Sequence, residues 1–281
     1  MMANSILSNL TAENTVAEIR LLLSADVKKK RTVALFEGED DIKVFRFLLS
    51  PSVTLIKAYG ASTTVDKLIP KNFPNEPRVI GIRDKDYQEK KLHDKIFYCD
   101  NCNCEMMLVS DDETMEKLVA NFYRGQLSGV ELRKEILRKL YYISIIRLCS
   151  DRYRWGLRMS DTDLAKICAP NVSNTRSSVI DFVNSYNRRN TIDVNRERKL
   201  KNYHDSGRLQ DYLQITNGHD FVEVLRVYCV YAQPSHRRAL SDKIISGALR
   251  CSYSLSAFRK TSLFAQLVEY GNVHGLSIVK N

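Results

Sequence analysis

The chain has 281 residues, 44% of them apolar, and a net charge of +10. This length and apolar content exclude a largely disordered chain, and no stretch approaches the roughly 18 to 20 consecutive apolar residues of a membrane span. The charge is unevenly divided, with a net −1 over residues 1–112 and +11 over residues 113–281. A basic second half favours a polyanionic partner such as nucleic acid, although a surface tuned for solubility has the same composition.

The cysteines and the N-terminal sequence indicate in which cellular compartment the protein is expected. Seven cysteines at irregular spacing favour free thiols in a reducing cytoplasm over a disulfide framework. The sequence MMANSILSNL lacks the basic and continuous apolar regions of a signal peptide. We therefore expect a cytoplasmic protein without a membrane partner.

The first part of the chain, residues 1–112, is predicted to be an α/β domain. Residues 12–24 have helical apolar spacing, and apolar runs at 32–36, 52–60, 78–84 and 95–99 predict strands. The second strand would end at Gly60, and Ser62 or Thr63 would cap the next helix. Strands that alternate with short helices predict a small, mostly parallel sheet flanked by helices.

The second part, residues 113–281, is predicted to be mainly helical. Residues 128–149 form its strongest helical pattern, and the following segments repeat that pattern between polar connections. Together with the excess positive charge, this predicts a basic region that binds substrate or partner.

Acidic residues follow two of the predicted strands. Glu37 ends the first strand, and Asp84 and Asp86 end the third. Because the carboxyl ends of parallel strands share one sheet edge, these side chains should converge there. Asp41, in the first turn of the next helix, and Glu105, from a later connection, are further candidates.

Clustered carboxylates repel and need a compensating cation. Oxygen ligands suit Mg²⁺, with Mn²⁺ as an alternative, so the five acids are a candidate metal site. Two simpler interpretations stay open: residues 37–41 as helix capping and solubility, and Asp84-Lys85-Asp86 as a polar turn.

A strand ending in Glu-Gly, followed by a strand ending in Asp-x-Asp, resembles the TOPRIM domains of topoisomerases, primases and overcoming-lysogenization-defect nucleases. Glu37-Gly38 matches the TOPRIM glutamate, Asp84 and Asp86 match its Asp-x-Asp pair, and Asp41 matches a second acid of the nuclease branch. The likeness spans about residues 30–110.

The segments FEGEDDIKVFRFLL, VIGIRDKDY, CEMML and NGHDFVEVL resemble, more narrowly, the AriB-type TOPRIM effectors of PARIS anti-phage defence. That resemblance implies a toxic, metal-dependent endoribonuclease that cleaves tRNA and is held inactive by an ABC-type ATPase partner. A local interpretation of NGHD makes Asp220 the N-cap of a helix, with Glu223 three residues on.

If two metal ions bind Glu37, Asp41, Asp84, Asp86 and Glu105, one activates water and the other stabilises the leaving oxygen of a phosphodiester. Glu37 could also act as the general base. Charge developing on the phosphate could be stabilised by Lys43, Arg83 or Lys85; each of these also has the simpler interpretation of surface charge.

Substrate binding is assigned to a basic segment, residues 186–204, in which cations could hold phosphates while aromatic residues stack on bases. Its candidate residues are Arg188, Arg189, Arg196, Arg198, Lys199 and Lys201. Residues 150–158 have the same mixture around Trp155. A polar loop and a core tryptophan are the alternatives.

Three functions fit this sequence. The first is a TOPRIM endoribonuclease, and the second is a TOPRIM DNA endonuclease with the same site residues. The third is a non-catalytic module whose acidic turn docks a basic protein in an ATPase complex. A homodimer after release is compatible with each of them.

Overall fold

The computed structural model describes residues 11–59, 64–88, 90–159 and 162–280. They form two compact units, the first from residues up to Asp100 together with residues 254–280, and the second from Asn101–Tyr253. We expected one boundary, near residue 112, with all later residues in the second region. In the structure, residues 254–280 belong to the first unit. Gly60, Ser62 and Thr63, predicted as a strand end and a helix cap, lie outside the described residues.

The first unit contains the predicted sheet and the helices that cover it. Its strands and helices, in chain order, are α1 Ala12–Ala25, β1 Thr32–Phe36, α2 Glu39–Phe45, β2 Val53–Lys57, α3 Thr64–Asn72, β3 Val79–Arg83, β4 Ile96–Tyr98, α13 Leu255–Phe258 and α14 Ser262–His274. The four predicted strands are therefore confirmed.

The strands of the described residues form one parallel sheet in the order β2-β1-β3-β4. The buried strands β1 and β3 lie in its centre, and every residue of both is buried. A strand buried on both faces has a continuous apolar sequence, which explains why TVALF and VIGIR show no alternation. The predicted class, a parallel α/β sheet flanked by helices and followed by a helical region, is confirmed.

Alternate residues of β1 enter two different cores. Val33 and Leu35 belong to an apolar cluster with α1 and α3. On the other face, Phe36 packs on Phe45 of α2 with ring centroids 5.2 Å apart, and Phe45 contacts Phe258 of α13 at 6.0 Å. Helices thus cover both faces of the sheet, because successive side chains of a strand point in opposite directions.

The C-terminal segment completes the first unit by backbone and capping contacts. Leu49 and Val279 form an antiparallel bridge. The carboxylate of Asp100 accepts hydrogen bonds from the backbone N–H groups of Ser262 and Leu263, at 2.8 and 2.9 Å, at the start of α14. A carboxylate there satisfies helix N–H groups that lack an intrahelical partner.

The second unit is helical. Its helices are α4 Cys104–Val109, α5 Asp112–Phe122, α6 Gly129–Arg152, α7 Ala165–Cys168, α8 Arg176–Tyr186, α9 Val194–Leu200, α10 Leu209–Ile215, α11 Gly218–Ala232 and α12 Asp242–Ser252, with a 3₁₀ helix at Pro234–Arg238. The long helix α6 begins with a capping box between Ser128 and Glu131 and packs against α5, α10 and α11. Among the described residues, none of these helices combines the length and apolar character needed to cross a membrane.

The interpretation of Asp220 as a helix cap is wrong. The N-cap of α11 is Asn217, whose side chain accepts hydrogen bonds from the N–H groups of His219 and Asp220. Asp220 is 4% exposed and accepts two hydrogen bonds from the guanidinium of Arg147, at 2.5 and 2.6 Å. The sequence could not show this pairing because Arg147 lies 73 residues away, on α6.

Candidate active site

The predicted acidic residues flank the point at which the chain reverses direction across the sheet. From β1 the chain proceeds to β2 on one side, whereas β3 and β4 lie on the other side of β1. Glu37 directly follows β1, and Asp84 and Asp86 follow β3. Open α/β sheets bind ligands at such a switch point, outside the carboxyl ends of the strands.

The strand register brings a cation to the same edge. Leu35 pairs with Gly81 across β1 and β3, so that Glu37, two residues further, falls opposite Arg83. Across the next strand pair, Arg83 is the register partner of Tyr98, and its guanidinium carbon lies 5.9 Å from the centre of the Tyr98 ring. Arg83 therefore ends its strand beside the predicted acids.

One guanidinium contacts three carboxylates. Arg83 Nε lies 3.2 Å from Glu37 Oε1, and Arg83 Nη2 lies 3.4 Å from Asp86 Oδ2. Arg83 Nη1 donates a hydrogen bond to Asp66 Oδ2. The arginine side chain is 6% exposed, compared with 20% for Glu37 and 50% for Asp86. The structure thus brings Glu37 and Asp86 to one centre, and that centre holds Arg83 and Asp66.

Asp66 was not among the predicted site residues. It lies in the first turn of α3, where a carboxylate also interacts favourably with the helix dipole. The sequence signal for it was a single acid in TVDKLI, which is typical of any helix start. Only the passage of α3 beside β3 makes this acid a neighbour of Arg83.

The other acids after β1 serve the start of α2. Asp41 Oδ2 accepts a hydrogen bond from the Gly38 N–H at 3.2 Å. Asp40 forms an exposed ion pair with Lys43 at 2.8 Å, and Glu39 lies 3.9 Å from Lys57. Part of the acidic cluster EGEDD thus caps helix α2, since carboxylates near the N-terminus of a helix stabilise that helix.

Asp84 and Asp86 form a turn after β3. The carbonyl oxygen of Asp84 accepts a hydrogen bond from Arg83 Nε at 3.1 Å. Asp86 adopts a left-handed backbone conformation with φ +49°, which aspartate tolerates better than most residues. The tight turn returns the Asp86 carboxylate to the guanidinium three residues before it.

The environment of Glu37 favours its protonated form. Burial raises its pKa to about 7, and Asp86, Asp66 and Asp41 add to the increase while Arg83 opposes it. Glu37 Oε1 and Asp66 Oδ1 are buried and accept no hydrogen bond within the described structure. Glu37 Oε1 thus contacts Arg83 Nε only as an ion pair at 3.2 Å, and Asp66 Oδ1 accepts no hydrogen bond from the described residues.

The donor chemistry of this cluster fits a hard divalent cation. Three carboxylates surround one positive charge, and carboxylate oxygens are the ligands that Mg²⁺ prefers. In this arrangement the guanidinium takes the central position. Within residues 11–59, 64–88, 90–159 and 162–280, no set of three His, Cys, Asp or Glu side chains is arranged to hold an ion. Ligation of a metal would thus require the carboxylates to turn from Arg83.

Glu105 belongs to the second unit. Glu105 lies in the first turn of α4. A Cβ atom added at Gly218 would be 2.4 Å from the Cβ of Glu105. Its side chain is thus packed against the start of α11. Its predicted participation with Glu37 stays a prediction.

The predicted substrate residues fall into two groups in the second unit. Three of the cations on or next to α9 have partners within the chain: Arg196 Nη1 donates to the carbonyl of Thr191, Lys199 Nζ lies 3.9 Å from the centre of the Tyr153 ring, and Lys201 pairs with Glu197 at 3.4 Å. Arg188, Arg189 and Arg198 are exposed.

Trp155 does not form an exposed stacking surface. It is 5% exposed, with Tyr153 stacked at 5.9 Å and the Arg196 guanidinium 5.6 Å from its ring centre. Arg196 and Lys199 of the basic segment 186–204 thus lie beside aromatic residues of segment 150–158. The alternative of a core tryptophan is the one that the structure favours.

In comparisons with known proteins, no protein-family model and no curated sequence matches this chain. The likeness to TOPRIM domains therefore depends on the motif residues and on their positions at the sheet edge.

Proposed function

We propose that the chain is a metal-dependent phosphodiester endonuclease of the TOPRIM type, with RNA as the favoured substrate. The observation that carries the proposal is the convergence of Glu37 and Asp86 at the switch point between β1 and β3. These side chains come from positions almost fifty residues apart and contact the same guanidinium. A cluster of acids at this edge of an open sheet is the arrangement expected of a ligand site.

Each acid has a role in this proposal. Glu37 and Asp86, with Asp84 and Asp41 from the same edge, would hold Mg²⁺ or Mn²⁺. When bound, the metal would supply an activated water and stabilise charge on the leaving oxygen. Glu37, whose pKa is raised to about 7, is suited to accept a proton near neutral pH. Asp66 would hold Arg83 in position at the same edge.

Positive charge would act on the substrate in two places. At the acidic cluster, Arg83 could stabilise charge on a phosphate after leaving the carboxylates, with Lys43 and Lys85 as nearby alternatives. In the second unit, exposed arginines such as Arg188 and Arg189 would hold the backbone.

The biological setting follows from the resemblance to the effectors of PARIS defence. We infer a toxic endoribonuclease that cleaves tRNA, an ABC-type ATPase that holds it inactive, and self-association after release. The sequence has no G-x-x-x-x-G-K-[ST] motif, so any ATP dependence would come from the partner. A DNA endonuclease is the nearest alternative, because it would use the same acids.

One observation favours the third function, a non-catalytic docking module. The acids already have a cation, because Arg83 contacts Glu37, Asp66 and Asp86. A cluster balanced in this way can be purely structural, since buried charges are normally paired.

The test compares two acids of the same turn. Purified wild-type protein, Glu37→Ala and Glu39→Ala are incubated with Mg²⁺ and either total tRNA or plasmid, with EDTA as the metal-free control. We expect cutting by wild type and by Glu39→Ala, because Glu39 is exposed and lies outside the Arg83 contacts. Glu37→Ala should cut less by at least about a hundredfold. The substrate that is cut identifies RNA or DNA.

Inhibition by a partner must be separated from inactivity. The same variants are therefore expressed with the neighbouring gene and a phage trigger, and RNA ends are sequenced. Cutting by Glu37→Ala at the wild-type rate would remove Glu37 from the mechanism. If neither nucleic acid is cut under triggering conditions while a complex with an ATPase persists, the docking module is the better function.

A further inference from the structure

Two loops of the second unit form a cleft with a volume of about 440 Å³. One side is the loop with Gly156 and Arg158, and the other is the end of α8 with the loop that follows it, residues 185–190, which include Arg188 and Arg189. A cleft of this size is within the range of ligand sites in proteins, about 300 to 1,000 Å³.

Hydrogen bonds fix the two loops to each other. Asn187 is buried, and its side chain accepts from the Arg158 N–H at 2.7 Å and donates to the Arg158 carbonyl at 3.0 Å. The Asn190 side chain donates to the carbonyl of Trp155. Both backbone groups of Arg158 are thus held by one buried amide, which joins the two sides of the cleft.

Gly156 is required by this geometry. It has a left-handed backbone with φ +65°, and a Cβ atom there would lie 3.3 Å from Asn190 Nδ2. Glycine adopts this conformation without the steric penalty that other residues have. The chain can therefore turn at residue 156 and bring Arg158 back towards Asn187.

The charge of the cleft is of one sign. Arg158, Arg188 and Arg189 are exposed, and within the described part of the chain their side chains have no hydrogen-bonding or ionic partner. No Asp or Glu occurs among the described residues that line the cleft. By contrast, Arg196, Lys199 and Lys201 are engaged within the chain, as described above. Guanidinium groups that lack an internal carboxylate are suited to bidentate binding of phosphate.

We propose that this cleft binds the phosphodiester backbone of a nucleic acid, with Arg158, Arg188 and Arg189 as its phosphate ligands. The identification of the ligand as nucleic acid rests on the proposed function. The cleft itself is defined by the arginines and the Asn187 hydrogen bonds. Arg158 is outside the basic segment 186–204, and only the folded structure brings it next to that segment, through Asn187.

The experiment measures binding separately from cleavage. Full-length Glu37→Gln in EDTA is titrated into fluorescein-labelled 20-nucleotide strands of one sequence, made as RNA and as DNA, and anisotropy is followed from 50 to 200 mM salt. In this background, Arg158→Ala/Arg188→Ala/Arg189→Ala is compared with Arg237→Ala/Arg238→Ala/Lys243→Ala. The control removes the same charge from exposed residues of the same unit that do not line the cleft. All six positions are exposed, so both triple variants should retain wild-type thermal unfolding.

We expect the cleft triple to bind at least about tenfold more weakly. The slope of log binding constant against log salt concentration should fall in magnitude by about 2, since each of three phosphate contacts on a single strand contributes about 0.7. The control triple should change the slope by less than about half as much. The strand type with the larger loss identifies the preferred nucleic acid.

Equal losses in the two triples, or no loss in the cleft triple, would overturn the proposal. Displacement of the strand by poly-aspartate at equal charge concentration would also overturn it, in favour of an acidic protein surface. If the cleft triple fails to bind while wild type cuts neither RNA nor DNA under triggering conditions, the proposed function is wrong and this inference stands. If wild type cuts and the cleft triple binds normally, only this inference is wrong.

Discussion

The guanidinium of Arg83 donates a hydrogen bond to the carboxylate of Asp66, and that pair links α3 to the carboxyl end of β3. Arg83 is buried, and Glu37 and Asp86 contact the other nitrogens of the same guanidinium. Three carboxylates in such proximity repel unless a cation offsets their charge. The arginine supplies that charge within the chain, whether or not a metal binds.

Removing Arg83 should therefore destabilise the protein. Arg83→Gln leaves three carboxylates without their cation, and breaking a buried pair by removing one partner typically destabilises by about 3–5 kcal/mol. Urea unfolding in EDTA measures the loss. Lys43→Ala, which breaks only the exposed pair with Asp40, should change stability by less than about 1 kcal/mol.

Metal should partly compensate for the loss of Arg83. Addition of Mg²⁺ should raise the unfolding temperature of Arg83→Gln more than that of wild type, because a ligand stabilises the state that binds it. If Arg83→Gln is as stable as Lys43→Ala, the guanidinium is not the main counter-ion of these acids.

Glu37 should make stability depend on pH in the metal-free protein. Its pKa is raised from 4.5 to about 7 by burial and neighbouring acids, so the native state binds this proton more tightly than the unfolded state. Stability from this group is greatest below pH 4.5 and is lost as pH rises towards 7.

Glu37→Gln should consequently be more stable than wild type at pH 8, by roughly 3 kcal/mol, with little difference at pH 4.5. Unfolding in EDTA at both pH values tests this. Burial also raises the pKa of Glu223 to about 7, so the decisive quantity is the difference between the two proteins, with Glu39→Gln as the exposed control. A difference that is independent of pH would contradict the assignment.

Gly81 should tolerate a methyl group poorly. A Cβ atom there would lie 2.6 Å from Val65 Cγ1 and 2.9 Å from Ile69 Cδ1, between β3 and α3. Overpacking of a core typically destabilises by about 1–3 kcal/mol. In Gly247→Ala, on α12, the nearest atom is 3.9 Å away, and the helix should gain about 0.5–1 kcal/mol. Thermal unfolding of the two variants should shift in opposite directions; shifts of the same sign would refute the packing argument.

Asp220 and Asn217 should differ in their contributions to the second unit. Asp220→Ala leaves the Arg147 guanidinium without its buried partner and should destabilise by about 3–5 kcal/mol. Asn217→Ala removes only the N-cap of α11, which is worth about 1 kcal/mol. Chemical denaturation compares the two variants. Equal losses of about 1 kcal/mol would restore the earlier interpretation of Asp220 as a cap.

Local sequence patterns determined the framework of the first unit. The runs TVALF and VIGIR are apolar throughout, and their alternation with short helices predicted a parallel sheet with these strands buried. The same reasoning placed Glu37, Asp84 and Asp86 at the carboxyl edge, because position along a strand is fixed by sequence once the strand is identified.

Only the tertiary structure decided which groups share a centre. Asp66 joins Arg83 across 17 residues, Arg147 finds Asp220 across 73, and Arg158 meets Asn187 across 29. Local periodicity carries no information about such pairs, since it reports which face of an element is apolar and not which element will cover it. The burial of Trp155 and the return of residues 254–280 to the sheet have the same origin. Sequence determined the strands and the order of the acids, and packing between distant segments determined their partners.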